Sequence, residues 1–535
     1  MSNLISEYIT NLASSRDLSK ELGLYKINPK MTVTDALEIN VNGTKISLWS
    51  ICEAILAIHF LPESDTNKYR NIARLVKGNI QNKYYSLKNI LSFNSNKGTM
   101  DLKDDNIFFL CFSNYLAFEN FDLIFDKITK DKKFVPVWVD STHINKHSLN
   151  KKHINTNDIF FSDVINLARI EKDVKNKVRK LINEIKLDNS GDPKLDILLS
   201  AIKYLQPVME TKIPRYLFTS MHLLKKAKPS AIISLDLADP CNRVFTLLAN
   251  NMDIPVIQIQ AGSINQDCIE WSFCYDNLML SHGPHIKKEL TQLGFDKNRV
   301  IETGSAKLEK CITLAQSKKN TLKNRFGINK NSTTILFLTS YVDLFDTQKI
   351  LNDQRRVYKN MYLSVISQIA KKKNISLVIK PHPLEKNHQL KKHKKISSKI
   401  ENIYTANPSD NTSEMIADSD IVMSYGSTAT LDAIVLGKLV ICLKFEDFPL
   451  NETFANSEAV MLPKNSKELN DIFTTIDLGK ISSLQDKCTE GRNVFLENFT
   501  NLNSSASKEI VACIYNIIKF FDDQAVQNSD DHTTN

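Results

Sequence analysis

The chain has 535 residues, of which 42% are hydrophobic and 24% are charged, so it is too long for one hydrophobic core and too apolar for a disordered protein. Two domains with some extension are therefore expected. The formal net charge of +9 comes from 69 Lys+Arg and 60 Asp+Glu. It is spread along the chain, suits an anionic small substrate or a phospholipid surface, and has no nucleic-acid-binding motif beside it.

The sequence also predicts a compartment. The nine cysteines are scattered and never form a Cys-x-x-Cys pair, which indicates reduced thiols in the cytoplasm. No apolar run reaches the roughly 20 residues of a membrane-spanning helix, and Met1 to Tyr8 lack a signal-peptide pattern. The prediction is a cytoplasmic protein whose membrane contact, if any, is peripheral on the inner face of the cytoplasmic membrane.

The first hundred residues read as an extension to which the sequence assigns no role. It contains a predicted hairpin around Asn42-Gly43 and an apolar helix from about Trp49 to Phe60. From residue 101 to 316, short apolar runs alternate with helical stretches, which indicates a parallel sheet. These runs are Ile107–Leu110, Val135–Val139, Ala231–Leu235, Val256–Ile259, Leu278–Leu280 and Val300–Ile301. We predict a Rossmann-like acceptor domain here.

A lysine- and asparagine-rich stretch from about Ser317 to Ser332 is the predicted linker. A second series of strands follows and predicts a second Rossmann-like domain over residues 333–500. Its strands are Thr334–Leu338, Ser376–Ile379, Ile421–Met423, Leu439–Leu443 and Ala459–Leu462. Residues 501–521 are expected to form a C-terminal helix, and residues 522–535 a disordered tail.

The strongest chemical motif is Lys380-Pro381-His382-Pro383, directly after the strand that ends at Ile379. Ligands of open α/β sheets bind at the carboxyl ends of the strands, so this loop is predicted to enter a site. His382 can donate to a phosphate oxygen or protonate a leaving phosphate. The alternative is a rigid loop that carries a surface histidine.

A second motif, Ser424-Tyr425-Gly426-Ser427-Thr428, follows the next strand and opens a helix. Free backbone N–H groups at a helix start attract an anion, although an ordinary helix cap has the same composition. Two further strand-end loops, Thr339-Ser340-Tyr341 and Gly304-Ser305, suit contacts to phosphate, ribose or base. Plain turn chemistry explains each of them equally well.

Transfer of a group to a hydroxyl also needs a base that takes the hydroxyl's proton, and Asp236 and Asp239 follow a strand of the first domain. Either can instead cap a helix, and Asp239-Pro240 has that pattern. Further residues are predicted on the acceptor side: Arg243, Gln260, Ala261, Gly262, Ser263 and Glu270. His282 and His285 have no third ligand nearby in the sequence, so no metal is predicted, and no cofactor.

The two phosphate motifs together resemble the C-terminal half of GT-B glycosyltransferases that build bacterial surface polysaccharides such as capsule and lipopolysaccharide. The similar families are the capsule sialyl- and Kdo-transferases and the CDP-glycerol glycerophosphotransferases. Flanking stretches at Ile416–Val422 and Asp432–Val440 strengthen the resemblance, which covers about Ala231–Leu462. It implies an α/β fold of GT-B type: two Rossmann-like domains facing a cleft, with an N-terminal extension.

Carried to this sequence, the resemblance implies that His382 contacts the donor phosphate and assists its departure. Ser427 and Thr428 would hold the phosphate or a carboxylate of the sugar. Several relatives have a His-Gly pair where this chain has Ala261-Gly262. Because Ala261 cannot act as acid or base, the base is Asp236 or Asp239, or activity is altered, or the position was changed.

The leading hypothesis is an inverting glycosyltransferase that binds a nucleotide-sugar donor in the domain over residues 333–500. The preferred donor is CMP-activated Kdo or a CMP-activated sialic-acid-like nonulosonate. The acceptor would be a surface glycan or a lipid-linked glycoconjugate. A CMP donor leaves as a phosphate monoester, which a histidine can stabilise without a metal. Alternatives are a UDP-sugar or polyol-phosphate transferase, a UDP-sugar 2-epimerase and an inactive glycan-binding module.

Overall fold

A computed structural model describes most of the chain, with gaps. The described residues are 20, 22–59, 107–112, 116–140, 153–155, 164–188, 192–235, 239–262, 271, 273, 278–317, 321–340, 353–383, 385–445, 454, 457–501 and 505–532. They fall into two compact units. Unit 1 comprises Met1–Ser281, Lys287–Thr303 and Ser507–Asn535, and unit 2 comprises His282–Ile286 and Gly304–Ala506.

Unit 1 begins with small strands and helices. In chain order these are β1 (Lys26–Asn28), β2 (Met31–Thr32), α1 (Val33–Ala36), β3 (Glu38–Val41), β4 (Thr44–Ser47) and α2 (Leu48–His59). Strands β3 and β4 are antiparallel, and Asn42 and Gly43 between them have φ of 52° and 95°. Positive φ at both central residues is what a two-residue hairpin turn requires. The predicted hairpin and the predicted apolar helix are thus confirmed.

The main sheet of unit 1 has seven strands, all paired in parallel. They are β5 (Ile107–Phe112), β6 (Val135–Asp140), β7 (His153–Asn155), β8 (Ala231–Ser234), β9 (Val256–Ile259), β10 (Leu278–Ser281) and β11 (Val300–Glu302). Their order is β11-β10-β9-β8-β5-β6-β7. The chain moves from β5 to one edge and then returns to β8 on the other side, which is the doubly wound topology of a Rossmann-like domain.

Helices surround this sheet: α3 (Leu116–Asp131), α4 (Val164–Leu187), α5 (Pro193–Thr211), α6 (Ile213–Ala227), α7 (Pro240–Asn250) and, at the boundary of the units, α8 (Pro284–Gln292). The helices α4, α5, α6 and α7 share one apolar core with Leu22, Leu37 and Trp49 of the N-terminal segment. The described part of residues 1–100 is therefore integral to unit 1. The apolar face of α2 is buried against other helices of this unit.

Unit 2 contains a five-stranded parallel sheet. Its elements are α9 (Ala306–Ser317), α10 (Thr321–Phe326), β12 (Thr333–Leu338), α11 (Asp353–Ile369), β13 (Ile375–Lys380), α12 (Asn387–Ser397), β14 (Ile403–Thr405), α13 (Thr412–Asp418), β15 (Ile421–Ser424), α14 (Ala429–Val435), β16 (Leu439–Cys442), α15 (Ser466–Asp477) and α16 (Ile481–Phe499). The strand order is β14-β13-β12-β15-β16. The direction of winding reverses between β12 and β15, which defines a topological switch point.

Two sequence predictions for this region are wrong. The predicted linker, Ser317 to Ser332, belongs to unit 2 and contains α10, whose Leu322 is buried while its polar residues face solvent. The predicted strand Ala459–Leu462 is reduced to a single bridge between Met461 and Ile441. Its apolar residues fill the core beside β16 without forming a ladder of hydrogen bonds.

The C-terminal helix, α17 (Ala506–His532), returns the chain to unit 1. Its residues Ile510, Ile514 and Ile518 are buried, and the Tyr515 hydroxyl donates to Asp131 at 3.1 Å. The helix covers most of the predicted disordered tail, 522–535, so that prediction is wrong as far as residue 532. Residues 506–532 contain no glycine or proline. The helix therefore has no stop signal at Asp522, where the polar tail was predicted to begin.

Two further observations concern the chemistry of the chain. The six cysteines described with side chains, Cys52, Cys241, Cys311, Cys442, Cys488 and Cys513, are free thiols. Among the helices that the structure describes, none combines the length and apolar character that crossing a membrane would take.

Candidate functional site

The candidate site lies at the carboxyl edge of the sheet in unit 2. Strand β12 pairs with β13 on one side and β15 on the other, all in parallel. The loops after these three strands, at residues 339–340, 381–383 and 425–428, therefore begin at the same edge. Since β12 and β15 flank the switch point, this is where an open α/β sheet forms its ligand crevice.

The loop after β13 holds His382 by its backbone. The His382 N–H donates to Glu385 Oε1 at 3.0 Å and to Thr339 Oγ1 at 3.2 Å. Pro381 is buried, His382 is half-buried and Pro383 is exposed. The two prolines restrict φ on either side. The backbone of this loop is thus fixed from below, and the imidazole lies at the boundary with solvent.

Beneath the loop is a buried chain of hydrogen bonds that the sequence analysis did not predict. Glu385 Oε1 also accepts from the Thr339 hydroxyl. Glu385 Oε2 lies 2.8 Å from His393 Nε2, and His393 Nδ1 lies 2.7 Å from the Tyr362 hydroxyl. The side chains of Glu385 and His393 are each 1% exposed. A carboxylate this deeply buried requires partners of this kind.

The surroundings of His382 lower its proton affinity. Burial lowers the pKa of His382 below the ordinary histidine value, the Glu385 carboxylate raises it, and the Lys380 ammonium lowers it again. The net direction is downward, so the neutral imidazole predominates at neutral pH. A histidine with a lowered pKa releases a proton readily once it has gained one.

Lys380 supports the loop from inside the protein. The residue is 3% exposed, and its ammonium donates to the carbonyl oxygens of Pro408 at 2.9 Å and Pro381 at 3.2 Å. The prediction placed Lys380 among the donor contacts. In the structure the ammonium is bound to backbone carbonyls. Its charge acts on the site electrostatically, by lowering the pKa of His382.

The loop after β15 presents two exposed hydroxyl groups. Ser424 is fully buried and its hydroxyl bonds to Thr430 at 2.8 Å and accepts from the Gly426 N–H at 3.1 Å. Gly426 has φ of 80°, a conformation that favours glycine. Ser427 and Thr428 are exposed, and neither hydroxyl bonds to any residue in the described part of the chain. These two hydroxyls are accessible to a ligand.

Two predictions for this loop need correction. The helix that follows, α14, has only seven residues, so its dipole is a weaker argument for anion binding than the sequence suggested. Tyr425 is 8% exposed, and its ring packs 4.8 Å from Tyr358 and 5.5 Å from Phe337, measured between centroids. Burial raises the pKa of Tyr425 well above its ordinary value. Tyr425 is part of the hydrophobic core of unit 2, so its ring is not exposed for contact with a donor.

The loop after β12 contains three more residues that were predicted to contact the donor: Thr339, Ser340 and Tyr341. Thr339 is 6% exposed and is used to hold the His382 loop. Ser340 is half-buried in the loop after β12. Tyr341 lies outside the described residues.

Gly304 and Ser305 pack within unit 2 in a structural role. Gly304 has φ of 79°, and a Cβ added there would lie 2.6 Å from the Asn501 carbonyl oxygen. Ser305 is 4% exposed, and its hydroxyl accepts from the Leu308 N–H at 3.4 Å. Turn and cap chemistry, the alternative given above, therefore describes these two residues.

In unit 1, Asp239 is the cap of α7. Its Oδ1 accepts from the N–H groups of Cys241 at 2.9 Å and Asn242 at 3.2 Å, with Pro240 at the first helical position. The capping alternative is what the structure shows for Asp239. Asp236, the other candidate base, lies outside the described residues.

Arg243 is not available to an acceptor. Its side chain is 0% exposed and pairs with Glu53 at 2.9 Å. Its guanidinium also donates to the carbonyl oxygens of Ser50 and of Phe273, the latter at 2.9 Å. The predicted acceptor-side role is wrong, because Arg243 ties α7 to the N-terminal helix α2.

The other predicted acceptor-side residues follow β9. Gln260 is 1% exposed, and its amide donates to the Gly262 carbonyl at 2.6 Å. Ala261 and Gly262 are half-buried. Ser263 and Glu270 lie outside the described residues. Gln260 thus shapes the turn at this strand end.

The histidine pair was also considered for a metal. His282 is 4% exposed, and the His285 ring lies 4.0 Å from the Phe499 ring. Within the part of the chain that the structure describes, no group of three His, Cys, Asp or Glu side chains could hold a metal ion.

Two Rossmann-like units, each with a parallel sheet and a switch point, define a GT-B type fold, and the predicted fold class is confirmed. The chain is similar to the UDP-GlcNAc 2-epimerase from Neisseria meningitidis bound to UDP-GlcNAc, with a TM-score of 0.50 and 16% identity over 77% of this chain and 100% of that one. It is equally similar to MnaA of S. aureus, determined with UDP, at a TM-score of 0.50 and 12% identity over 77% and 97% of the two chains.

The wall teichoic acid polymerase TagF also matches, at a TM-score of 0.47 and 14% identity over 85% of this chain and 99% of that one. No protein-family model matches the chain, and no curated protein matches it. The two likenesses with a TM-score of 0.50 support the fold, and the chemistry depends on the residues of the site.

Proposed function

We propose that the protein is a glycosyltransferase that binds a nucleotide-sugar donor at the carboxyl edge of the sheet in unit 2. One observation carries this proposal: His382 is half-buried and fixed by its backbone, at the sheet edge where Ser427 and Thr428 present exposed hydroxyls. A histidine and free hydroxyls at such an edge are suited to a phosphate group. The acceptor would be a glycan or a lipid-linked glycoconjugate.

The proposed transfer is inverting. An acceptor oxygen attacks the anomeric carbon of the sugar, and the bond from that carbon to the donor phosphate breaks. The acceptor hydroxyl gives its proton to a base in unit 1, and His382 stabilises the departing phosphate by a hydrogen bond or a proton. Because Asp239 caps α7, Asp236 is the stronger proposal for the base.

Within this class, our proposal for the donor is a CMP-activated acidic sugar such as Kdo or a sialic-acid-like nonulosonate. CMP leaves as a monoester whose charge a single histidine and two hydroxyls can stabilise. The same hydroxyls can bind the carboxylate of an acidic sugar. UDP-sugar and polyol-phosphate transferases would use the same loops.

The test is the thermal stability of the protein with CMP, CDP, UDP and GDP, since a ligand that binds the folded state raises the unfolding temperature. We expect CMP to stabilise most and His382→Ala to abolish the effect. His388→Ala, an exposed histidine six residues further along, is the matched control. Stabilisation that persists in His382→Ala contradicts the proposed site, and no response to any nucleotide favours a glycan-binding module.

The fold likeness to a UDP-GlcNAc 2-epimerase, at a TM-score of 0.50, favours a second candidate, epimerisation of a UDP-sugar. Inversion at C2 must break the C2–H bond, so an epimerase in D₂O incorporates deuterium at C2 without any acceptor. A transferase leaves that hydrogen in place and releases nucleotide only when an acceptor is present. Mass spectrometry of UDP-GlcNAc after incubation in D₂O distinguishes the two reactions.

Peripheral membrane contact is also part of the proposal, and α12 supports it. This helix has no acidic residue. Its residues Lys391, Lys392, Lys394 and Lys395 are exposed, and no ion pair forms with them among the described residues. Each lysine near an anionic membrane contributes about 1 kcal/mol of binding. The double variant Lys391→Glu/Lys392→Glu should therefore lose co-sedimentation with phosphatidylglycerol-containing vesicles.

The matched control for that experiment is a pair of exposed lysines in unit 1, Lys172→Glu/Lys177→Glu. It makes the same change in net charge on α4. Equal loss of binding in the two double variants would mean that overall charge acts, and it would contradict a specific membrane face on α12.

A further inference from the structure

We infer that Glu385 and His393 are positioning residues, a buried carboxylate–imidazole pair that holds the His382 loop where its imidazole can contact a donor phosphate. The inference rests on the proposed function of that loop. It adds two residues that touch neither donor nor acceptor and that act through the backbone of the loop. Three observations support it: the pattern of donors and acceptors, the burial, and the sign of the charge.

The hydrogen bonds of this cluster fit one assignment of protons. Glu385 Oε1 accepts from the His382 N–H at 3.0 Å and from the Thr339 hydroxyl, and Oε2 lies 2.8 Å from His393 Nε2. His393 Nδ1 lies 2.7 Å from the Tyr362 hydroxyl oxygen. An ionised Glu385 and a neutral His393 protonated at Nε2 give each of these atoms one role.

Burial makes this pair a rigid support. With both side chains 1% exposed, water cannot replace a lost partner. Removing one member leaves the other as an unpaired buried polar group, which costs more than the net value of the bond. That cost falls on the loop, because two of the donors to Glu385 come from His382 and Thr339.

The charge of Glu385 is the third observation. A carboxylate beneath a phosphate site repels the ligand, and an apolar side chain would pack the same space without repulsion. Its position is explained if the carboxylate is needed to bind the loop. It also opposes the fall in the pKa of His382 that burial and Lys380 produce.

The test compares two variants of His393. In His393→Gln the side-chain amide can still donate to Glu385 Oε2, whereas His393→Leu removes that donor. We measure hydrogen exchange at the His382 amide and the dissociation constant of whichever nucleotide stabilises the wild-type protein. We expect His393→Leu to speed exchange and weaken nucleotide binding, each by about tenfold or more, and His393→Gln to remain within about threefold of wild type.

A second pair of variants tests the same inference if His393→Leu does not fold. Glu385→Gln removes the charge with little change in shape, and Glu401→Gln removes an exposed charge from the same unit. We expect the pKa of His382, followed by proton NMR, to fall in Glu385→Gln and to stay unchanged in Glu401→Gln. The sign follows from the carboxylate, which favours the imidazolium.

Unchanged exchange at the His382 amide in His393→Leu would overturn the inference, as would an unchanged His382 pKa in Glu385→Gln. If no nucleotide binds the wild-type protein, the proposed function fails. The exchange and NMR measurements use the ligand-free protein and still decide the role of Glu385 and His393.

Discussion

Replacing Glu53 by glutamine should destabilise unit 1 strongly, although the candidate site belongs to unit 2. The Arg243 side chain has no exposed surface, and Glu53 is its carboxylate partner at 2.9 Å. Breaking a buried pair by removing one member costs about 3–5 kcal/mol. Because Arg243 keeps the carbonyls of Ser50 and Phe273 as acceptors, we expect the lower end, about 3 kcal/mol. That is a change of more than 100-fold in the unfolding equilibrium.

Intrinsic fluorescence is the assay, since Trp49, Trp138 and Trp271 are the only tryptophans and all belong to unit 1. Denaturant unfolding followed by tryptophan emission therefore reports on the unit that carries the change. The matched control is Glu38→Gln, which removes an exposed pair with Lys45 and should cost at most about 1 kcal/mol.

A double variant separates loss of the pair from loss of packing. Glu53→Leu/Arg243→Met replaces both charges by apolar groups, and such replacements are often neutral. We expect it to be more stable than Glu53→Gln. The reasoning is refuted if Glu53→Gln unfolds within about 1 kcal/mol of wild type, or if the double variant is the less stable of the two.

Three further changes test other parts of the structure. Gly491→Ala should lower the melting temperature of unit 2 in calorimetry, because the added Cβ would lie 2.4 Å from the backbone carbonyl carbon of Glu458. The clash should outweigh the preference of about 1 kcal/mol that alanine has over glycine in a helix. A rise in melting temperature would contradict this packing. Burial and the bond to Asp192 raise the pKa of Tyr25 to about 12, so its contribution to stability is present below about pH 10 and lost as the pH rises toward 12. Tyr25→Phe should flatten that part of an alkaline unfolding curve, and an identical slope would exclude the contribution. Ser427→Ala should weaken nucleotide binding by about tenfold with unchanged melting temperature, because Ser427 is exposed; unchanged affinity would remove Ser427 from the site.

The strands that the sequence predicted in the two main sheets are continuous apolar runs, and most of those with described side chains are buried on both faces, although Ile301 of β11 is 39% exposed. The two strands of these sheets that it missed, β7 and β14, have three residues each and polar neighbours, His153–Asn155 and Ile403–Thr405. Their place in the sheets comes from pairing with β6 and β13. Such short edge strands form because a neighbouring strand offers free backbone groups, which a local pattern does not record.

The candidate site was predictable only in part for a similar reason. Position at a strand end indicated His382, Ser427 and Thr428, because the edge of a parallel sheet follows from the strand pattern. Glu385 and His393 carry no such signal, since their roles depend on contacts with Thr339 and Tyr362, 46 and 31 residues away. Residue type alone therefore gave no reason to distinguish Glu385, just before the polar helix α12, or His393, within it, from the other polar side chains nearby.

Arg243 shows the opposite error. A charged residue just beyond a strand end reads as a ligand contact when its partner is unknown, and Glu53 is 190 residues earlier in the chain. Asp239 was ambiguous for the same reason, and only the bonds to the start of α7 decided between a base and a cap.

The division of the chain has a consequence for its synthesis. Unit 1 contains both the N-terminal segment and α17, and roughly 200 residues of unit 2 lie between its strands and that last helix. A ribosome adds about 5–20 residues per second, so about 10–40 seconds separate the synthesis of the last strand of unit 1 from that of α17, which contacts Phe134 and Asp131. Unit 2 is complete before then. The later half of the chain can therefore finish folding first, while the earlier half still lacks the contacts that Tyr515 makes with Asp131 and Phe134.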